Sequence, residues 1–216
     1  MRLIGRLDVK GESLIKGIHL EGLRKIGDPA EFAEKYYRNG IHELLYMDAV
    51  ASLYQRNNLE NLIKEATRNI FIPVTVGGGI RSLDDVDRIL RGGADKVAIN
   101  TAVIKNPNLI NEIVKRFGSQ SLVVSIEAKE VRPGDWEAYI DNGREKTGID
   151  VCEWITEVQD RGAGEILLTS VDFEGTRKGF DIPLCRKASK LCSVPVIASG
   201  GFASLSDISS VAQIGI

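Results

Sequence analysis

The sequence has little of what marks several classes of protein. Its 216 residues include 3 cysteines, 6 prolines and 6% aromatic residues. No apolar run reaches the roughly 18 residues of a membrane span, and the first residues do not resemble a secretory signal. Cys152, Cys185 and Cys192 are odd in number and lack metal-site spacing, which favours reduced thiols in a cytoplasm. We therefore expect neither a membrane protein, nor a secreted disulfide scaffold, nor a zinc module.

A bias of charge is also missing. The 28 Lys and Arg residues nearly balance the 30 Asp and Glu residues, so the net charge is −2. This balance gives no electrostatic ground for binding nucleic acid or an anionic membrane surface. Hydrophobic residues make up 43% and charged residues 27%, as in ordinary globular proteins. The length suits one sizeable core, so we expect a single domain over residues 1–216.

Short β-branched or apolar runs alternate with helical segments along the chain. The runs cover residues 3–9, 43–49, 73–76, 96–100, 122–128, 165–170 and 195–199. Asp28-Pro29 and the pair Ser82 and Asp85 have the form of helix starts. Alternation of this kind predicts parallel β/α units. We count seven strands.

The glycines reveal an internal repeat. Residues 76–85 resemble residues 198–207 at an offset of 122, and the strand ends around Asp8 and Glu127 also match. Two half-barrels, at about residues 1–120 and 121–216, predict an α/β fold of the (β/α)₈ TIM-barrel type. Gly93 leads into the fourth strand, and its counterpart Gly215 is followed by one residue. Strand 8 and its helix are thus missing here, and we expect the chain to be a piece of a protein of about 250 residues.

Candidate catalytic and binding residues stand at the carboxyl ends of the predicted strands, where barrel enzymes have their sites. Asp8 and Glu127 fall on strands one and five, opposite each other, so they can act on different atoms of one substrate. A lone acid at such a position is more often a turn or cap residue. The other polar residues at these ends are Asn100, Thr169 and Ser199.

Two glycine pairs suggest phosphate binding. Gly78-Gly79 and Gly200-Gly201 each join a strand to a helix, where backbone N–H groups can converge on an oxyanion. Tight-turn geometry alone explains one such turn, whereas two of them suggest a substrate with a phosphate at each end. Further donors are expected from Asn100, Thr101, Gly175 and Thr176. Lys16 lies in the segment 11–27, either as part of a lid over the substrate or as a solvated loop lysine.

Four charged residues stand near the amino ends of the strands. They are Arg2, Glu43, Lys96 and Glu165. Arg2 shares its strand parity with Asp8, which predicts that both point into the barrel. Two cations and two anions meeting there would form a neutral ring across the barrel floor. Isolated charges at such positions are more often solvated turn residues, and spacing alone does not favour the ring over them.

These residues resemble a known family along the whole chain. The shared motifs include Leu7-Asp8-Val9-Lys10, Lys16-Gly17, Gly27-Asp28-Pro29, Gly77-Gly78-Gly79-Ile80, Gly93-Ala94-Asp95-Lys96, Phe117-Gly118-Ser119-Gln120 and Ser199-Gly200-Gly201. Together they resemble the cyclase subunit of imidazole glycerol phosphate synthase (HisF). The resemblance implies a reaction of ammonia with phosphoribulosyl-formimino-AICAR-phosphate. The products are imidazole glycerol phosphate, for histidine synthesis, and AICAR.

The resemblance also implies a partner and roles for the residues. A glutaminase subunit (HisH) would dock at the amino-terminal face and supply ammonia through the barrel. Asp8 would be the first catalytic aspartate, and Glu127 its counterpart. The ring of charges would be the ammonia gate, and the two glycine turns the phosphate sites. The chemistry needs no metal or organic cofactor, and we expect none.

Three positions depart from the family pattern. Glu127 and Glu174 stand where aspartates are usual, and Arg6 stands where a cysteine is usual. These departures resemble a subgroup encoded with surface-polysaccharide genes, in which ammonia serves the amidation of a nucleotide-linked sugar. Three hypotheses follow: a histidine-pathway cyclase, a sugar-amidation paralogue in which Arg6 pairs with Glu127, or a conduit that only binds and activates the glutaminase. We favour the cyclase because its acid pair, gate and phosphate turns are nearly all present.

Overall fold

Eleven strands form one curved sheet in the computed structural model of the protein, which describes residues 1–49 and 69–216. The strands are β1 (Ile4–Lys10), β2 (Ser13–Ile18), β3 (Glu21–Gly27), β4 (Glu43–Asp48), β5 (Val74–Gly77), β6 (Lys96–Ile99), β7 (Leu122–Arg132), β8 (Asp135–Ile140), β9 (Glu145–Asp150), β10 (Glu165–Ser170) and β11 (Val196–Ser199). The helices are α1 (Pro29–Arg38), α2 (Leu83–Arg91), α3 (Thr101–Lys105), α4 (Asn108–Phe117), α5 (Val151–Asp160), α6 (Ile182–Leu191) and α7 (Leu205–Ala212). Within these ranges no helix combines the length and apolar character needed to cross a membrane.

Seven strands of the sheet are parallel, and they are the seven that the sequence predicts. Their order is β11-β10-β7-β6-β5-β4-β1. Their ends agree with the prediction to within one residue, except in β7. With helices between the strands, the fold is a curled α/β sheet of the barrel type. β1 and β11 end the parallel run, and no backbone pairing joins them within the described part of the chain.

Side chains alternate between the two faces of each strand, and this alternation separates the core from the interior of the curve. Leu7 and Val9 of β1 belong to the large apolar cluster that packs the sheet against the helices. Ile4 belongs to a second, smaller cluster on the opposite face. The remaining members of that smaller cluster are Leu45, Met47, Ala98, Val123, Leu167 and Ile197. Residues that share parity with Ile4 therefore face the interior of the curve.

The internal repeat is present in the backbone. Gly78 and Gly200, which follow equivalent strands, both have a φ of +99°. Each turn leads into a helix that opens with a Ser–Asp capping box, formed by Ser82 with Asp85 and by Ser204 with Asp207. The predicted cap at Asp28 is also confirmed, since its carboxylate accepts from the N–H groups of Ala30 and Glu31 at 2.8 and 3.0 Å.

Two antiparallel hairpins, β2–β3 and β8–β9, extend from the carboxyl ends of the parallel strands β1 and β7. Segment 11–27, predicted as a lid, is the antiparallel hairpin β2–β3. Its tip is docked, because the His19 N–H donates to the Glu174 carbonyl at 2.8 Å. The predicted end of β7 at residue 128 is wrong, since this strand continues to Arg132 and pairs with β8. Local pattern did not reveal this extension because the partner strand, rather than the core, stabilises it.

Candidate active site

The inward-facing side chains of β1 divide the interior of the curved sheet into levels. Arg2, Ile4, Arg6 and Asp8 share one parity, and successive members are about 6.6–6.8 Å apart along an extended strand. Arg2 lies at the amino end, Ile4 lies in the small apolar cluster, and Arg6 and Asp8 lie towards the carboxyl end. The interior therefore has a polar level at each end and an apolar level between them.

At the amino end, the four charged residues predicted from parity come together in one network, which we call the amino-end ring. The Arg2 guanidinium donates to Glu43 Oε1 at 2.6 Å and to both carboxylate oxygens of Glu165 at 3.0 and 3.1 Å. Lys96 Nζ donates to Glu43 Oε2 at 3.3 Å and to Glu165 Oε1 at 2.7 Å. Each cation contacts both carboxylates, so the ring is closed and neutral.

Burial makes the pairing in this ring necessary. Glu43 is 5% exposed, and a buried carboxylate without a partner is strongly disfavoured. Burial alone would raise the pKa of Glu165, but the hydrogen bonds and charges of Arg2 and Lys96 outweigh it and lower that pKa. Arg2, whose pKa is raised, and Glu165 are therefore both charged near neutral pH. Arg2 is the most exposed member, with 38% of its side chain accessible.

At the carboxyl end, Asp8 lies in a second network, which we call the mouth chain: Arg6, Asp8, Lys16 and Glu174. Arg6 Nε donates to Asp8 Oδ1 at 2.7 Å, and Lys16 Nζ donates to Asp8 Oδ2 at 3.1 Å. Lys16 also forms an ion pair with Glu174. Burial would raise the pKa of Asp8, but the two cations outweigh this and lower it. Asp8 is therefore a fixed carboxylate.

Lys16 reaches this network from the hairpin β2–β3. Its ammonium contacts Asp8 of β1 and Glu174 of the loop after β10. The hairpin tip contacts the same loop through His19, and Asn142 Nδ2 donates to the Leu20 carbonyl at 2.9 Å. Lys16 is therefore an ion-paired residue of the hairpin and not a solvated loop lysine, whereas its place in a lid over the substrate stays a prediction.

Arg6 crosses the interior from β1. Its Nη1 donates to Thr169 Oγ at 3.1 Å and to Ser199 Oγ at 3.0 Å, on β10 and β11. These two hydroxyls, predicted as substrate ligands, are thus acceptors for Arg6 in this structure. The predicted pairing of Arg6 with Glu127 is wrong, because the guanidinium makes its ion pair with Asp8 on its own strand.

Glu127, the second predicted acid, has different surroundings. It is 7% exposed, and its Oε2 accepts from the Gly143 N–H at 2.7 Å. Burial raises the pKa of Glu127 to about 7, although this hydrogen bond and the charge of Arg6 oppose the rise. Within residues 1–49 and 69–216, no Lys or Arg forms an ion pair with Glu127. Near neutral pH the two acids therefore differ in protonation.

Asn100 and Thr101 stand beside Glu127 at the end of β6. Asn100 Nδ2 donates to the Tyr139 carbonyl at 3.0 Å, whereas its buried Oδ1 has no partner in the described residues. Thr101 Oγ accepts from the Asp141 N–H at 3.2 Å. Both side chains thus bind the hairpin β8–β9. Their contribution to a phosphate site stays a prediction.

Backbone packing requires glycine in the two turns that are predicted to bind phosphate. A Cβ on Gly78 would lie 2.3 Å from the Asp48 carbonyl oxygen, and one on Gly201 would lie 1.9 Å from the Gly179 carbonyl oxygen. Their partners Gly79 and Gly200 have φ values of +70° and +99°. Close backbone approach therefore explains these glycines without a phosphate, and phosphate binding stays a prediction.

The last two predicted donors lie in the loop after β10. A Cβ on Gly175 would lie 2.2 Å from the Gly17 carbonyl oxygen, so Gly175 is needed where this loop meets the hairpin β2–β3. Thr176 donates its hydroxyl to the Phe173 carbonyl at 2.7 Å and its N–H to the same oxygen at 3.1 Å. Both donors of Thr176 are thus engaged within their own turn.

The sequence did not predict one contact of a candidate site residue, namely the hydrogen bond from the Gly143 N–H to Glu127. It comes from the tip of the hairpin β8–β9, where Asp141, Asn142 and Gly143 all have positive φ. An Asp-Asn-Gly run between two alternating segments is a strong hairpin pattern. The sequence therefore indicates the turn, but the contact of that turn with Glu127 depends on the tertiary structure.

Among the described residues, no three His, Cys, Asp or Glu side chains are arranged to hold a metal ion.

Comparison with known proteins agrees with this geometry. A family model described as "Histidine biosynthesis protein" matches residues 2–216. The chain is also similar to the imidazole glycerol phosphate synthase subunit HisF of Legionella pneumophila. The two sequences are 60% identical over 207 residues, which are 96% of this chain and 98% of that relative.

Proposed function

The chain belongs to the histidine biosynthesis protein family, and we infer from this premise that it is the cyclase subunit of imidazole glycerol phosphate synthase. The observation that carries the inference is the 60% identity to a HisF subunit along almost the whole chain. The protein is thus an enzyme of the lyase and cyclase type. It converts phosphoribulosyl-formimino-AICAR-phosphate and ammonia into imidazole glycerol phosphate and AICAR.

Asp8 and Glu127 are proposed as the acid–base pair. Asp8 is held as a carboxylate by two cations, whereas the pKa of Glu127 is raised to about 7. A group with a pKa near the working pH both gives and regains a proton readily. We assign proton donation to Glu127 and proton acceptance to Asp8. After ammonia has attacked to form an imine, Glu127 would assist departure of the AICAR portion and Asp8 would assist ring closure.

Ammonia is proposed to enter through the amino-end ring. Above the ring lies the small apolar cluster, which favours neutral ammonia over ammonium because a bare ion is costly in apolar surroundings. The ring is closed by four paired charges, so passage requires one side chain to move. Arg2, the most exposed member, is the residue best placed to do so. A HisH-type glutaminase docked against this face would supply the ammonia and complete a heterodimer.

The two ends of the bisphosphate are assigned to the two glycine turns. Gly78-Gly79 and Gly200-Gly201 lie at the carboxyl ends of β5 and β11, four strands apart in the sheet order. Both precede helices, whose amino ends favour anions. A cytoplasmic location fits this role, and the free thiols of Cys152, Cys185 and Cys192 support it.

The test is conversion of the bisphosphate by the purified chain. AICAR release is measured with ammonium salt, and then with glutamine after addition of a HisH-type glutaminase. We expect AICAR to form under both conditions, and Glu127→Asp to retain activity. If the native chain and Glu127→Asp both fail with ammonium salt, the cyclase assignment is overturned. Stimulation of the glutaminase without AICAR release would identify a conduit, and transfer of ammonia to a nucleotide-linked sugar would identify the amidation paralogue.

A further inference from the structure

The interior of the sheet contains a guanidinium that joins β1 to two strands with which β1 has no backbone pairing in the described part of the chain. Arg6 of β1 contacts Thr169 of β10 and Ser199 of β11. In the sheet order β1 ends the parallel run on one side, whereas β11 and its neighbour β10 end it on the other. At this level of the interior, a side chain therefore makes the connection that hydrogen-bonded strands make elsewhere in the sheet.

We propose that Arg6 is a positioning residue for the acid pair: it holds the Asp8 carboxylate in one orientation and ties β1 to β10 and β11. This inference rests on the cyclase function and adds a residue to it. Arg6 is placed between the small apolar cluster and the mouth, so it lies behind Asp8 with respect to a substrate entering from the mouth. It acts on the reaction through Asp8.

The geometry of the contacts requires arginine. Nε donates to the Asp8 carboxylate, and Nη1 donates to two hydroxyls on other strands. A planar guanidinium can make these contacts together because it has several donors in fixed directions. A lysine has one ammonium and cannot keep all three partners at these distances. Thr169 and Ser199 are neutral, so within residues 1–49 and 69–216 the charge of Arg6 is matched in direct contact by Asp8 alone.

Among the described residues, the other charged groups that face Asp8 or Arg6 come from three elements. Lys16 approaches from β2, Glu174 from the loop after β10, and Glu127 from β7. Lys16 has 42% of its side chain exposed and shares its charge with Glu174. Without Arg6, a nearly buried Asp8 would keep only this shared partner, so ionisation of Asp8 would become harder.

The first test measures Asp8 directly, in the intact chain and without substrate. Carboxyl-carbon NMR follows the titration of Asp8 in the native protein, Arg6→Met, Arg6→Lys and the control Arg38→Met, which removes an exposed Arg from α1. We expect the native midpoint and the control midpoint to lie below the ordinary value of about 3.9. Arg6→Met should move it above that value, and Arg6→Lys should give an intermediate value. Equal midpoints in the native protein and Arg6→Met would overturn the proposal.

The second test separates positioning from substrate contact. With ammonium salt, we expect Arg6→Met to lower kcat by about 10²-fold, as misplaced catalytic groups do, with KM for the bisphosphate nearly unchanged. Arg6→Lys should recover part of kcat, and Arg38→Met should leave it unaltered. A rise in KM at constant kcat would overturn the positioning role. Should Arg6→Met not fold, Arg6→Lys decides by the sign of its shift in the Asp8 midpoint. An inactive native enzyme would instead refute the proposed function, and the titration would still decide the role of Arg6.

Discussion

The two ends of the barrel interior contain the same charges in different arrangements. The amino-end ring and the mouth chain each contain two cations and two carboxylates. In the ring every cation contacts both carboxylates, so the network closes on itself. In the mouth chain the charges are linked in series, Arg6 to Asp8 to Lys16 to Glu174, and the series is open.

The difference between the two networks lies in what each leaves unpaired. The ring leaves no carboxylate without a cation, which suits a stable barrier. At the mouth, Arg6 ends on two hydroxyls, and the neighbouring Glu127 forms no ion pair among the described residues. Burial then raises the pKa of Glu127 to about 7. The closed pairing of the ring thus keeps its carboxylates bound to cations. Glu127, which lies outside such pairing, is a group that can exchange a proton near neutral pH.

The largest effect is expected at the centre of the mouth chain. Asp8→Asn removes the carboxylate that both Arg6 and Lys16 contact, together with the proposed proton acceptor. We expect ammonia-dependent AICAR formation to fall by about 10²–10⁴-fold. Asp160→Asn, a substitution at the exposed end of α5, serves as the matched control. Activity of Asp8→Asn within a few-fold of the native rate would show that Asp8 has a structural role only.

The next effect is expected in the amino-end ring. Lys96→Met leaves Glu43 and Glu165 to share Arg2, and breaking a buried ion pair in this way costs about 3–5 kcal/mol of unfolding free energy. Glutamine-dependent turnover should fall more than turnover with ammonium salt, because in the proposed function only the former uses the ring as an entrance. Urea unfolding and the two assays measure these effects, with the exposed Lys190→Met as control. Equal losses in both assays would make Lys96 a structural residue only.

A third effect, dependent on pH, is expected at Glu127. Because its folded pKa lies near 7, above the ordinary value of about 4.3, the native state keeps the proton to higher pH than the unfolded chain. The stability from this group is full below about pH 4.3 and is lost as the pH rises through 7. Glu127→Gln should therefore raise the unfolding free energy at pH 8 by roughly 3 kcal/mol and change it little at pH 4.

Urea unfolding at the two pH values measures this difference. Glu12→Gln, which replaces an exposed glutamate in the turn before β2, is the matched control and should show no pH-dependent gain. The same stabilisation of Glu127→Gln at both pH values would show that Glu127 titrates normally. The contrast between a paired ring and an unpaired acid would then fail.

The smallest effect is expected at the outer end of the mouth chain. Lys16 has 42% of its side chain exposed, so its ion pairs are screened by solvent. Lys16→Met leaves the buried Glu174 without this cation, so it should lower the unfolding free energy by about 1–3 kcal/mol, less than Lys96→Met does. Urea unfolding of both variants gives the comparison directly. A loss at Lys16 as large as that at Lys96 would mean that the open chain stabilises the fold as strongly as the closed ring.

Much of the fold and part of the site follow from local pattern. The seven parallel strands, the cap at Asp28 and the repeated glycine turns were predictable because each depends on residues within a few positions of one another. Strand parity also brought Arg2 and Glu165 to one level, because side-chain direction alternates strictly along a strand. The extension of β7 beyond residue 128 was not predictable, because β8 stabilises it from outside the core.

What the sequence determined by itself was which residues face the interior and in what order along each strand, since parity and spacing are local properties of the backbone. The tertiary structure alone decided which of those residues pair. Arg6 contacts Asp8, Thr169 and Ser199 instead of Glu127 because the curvature of the sheet sets the distances between strands. The same curvature places the Gly143 N–H on a buried Glu127. Partner choice and burial set the pKa values of both acids, and neither is encoded at one position of the chain.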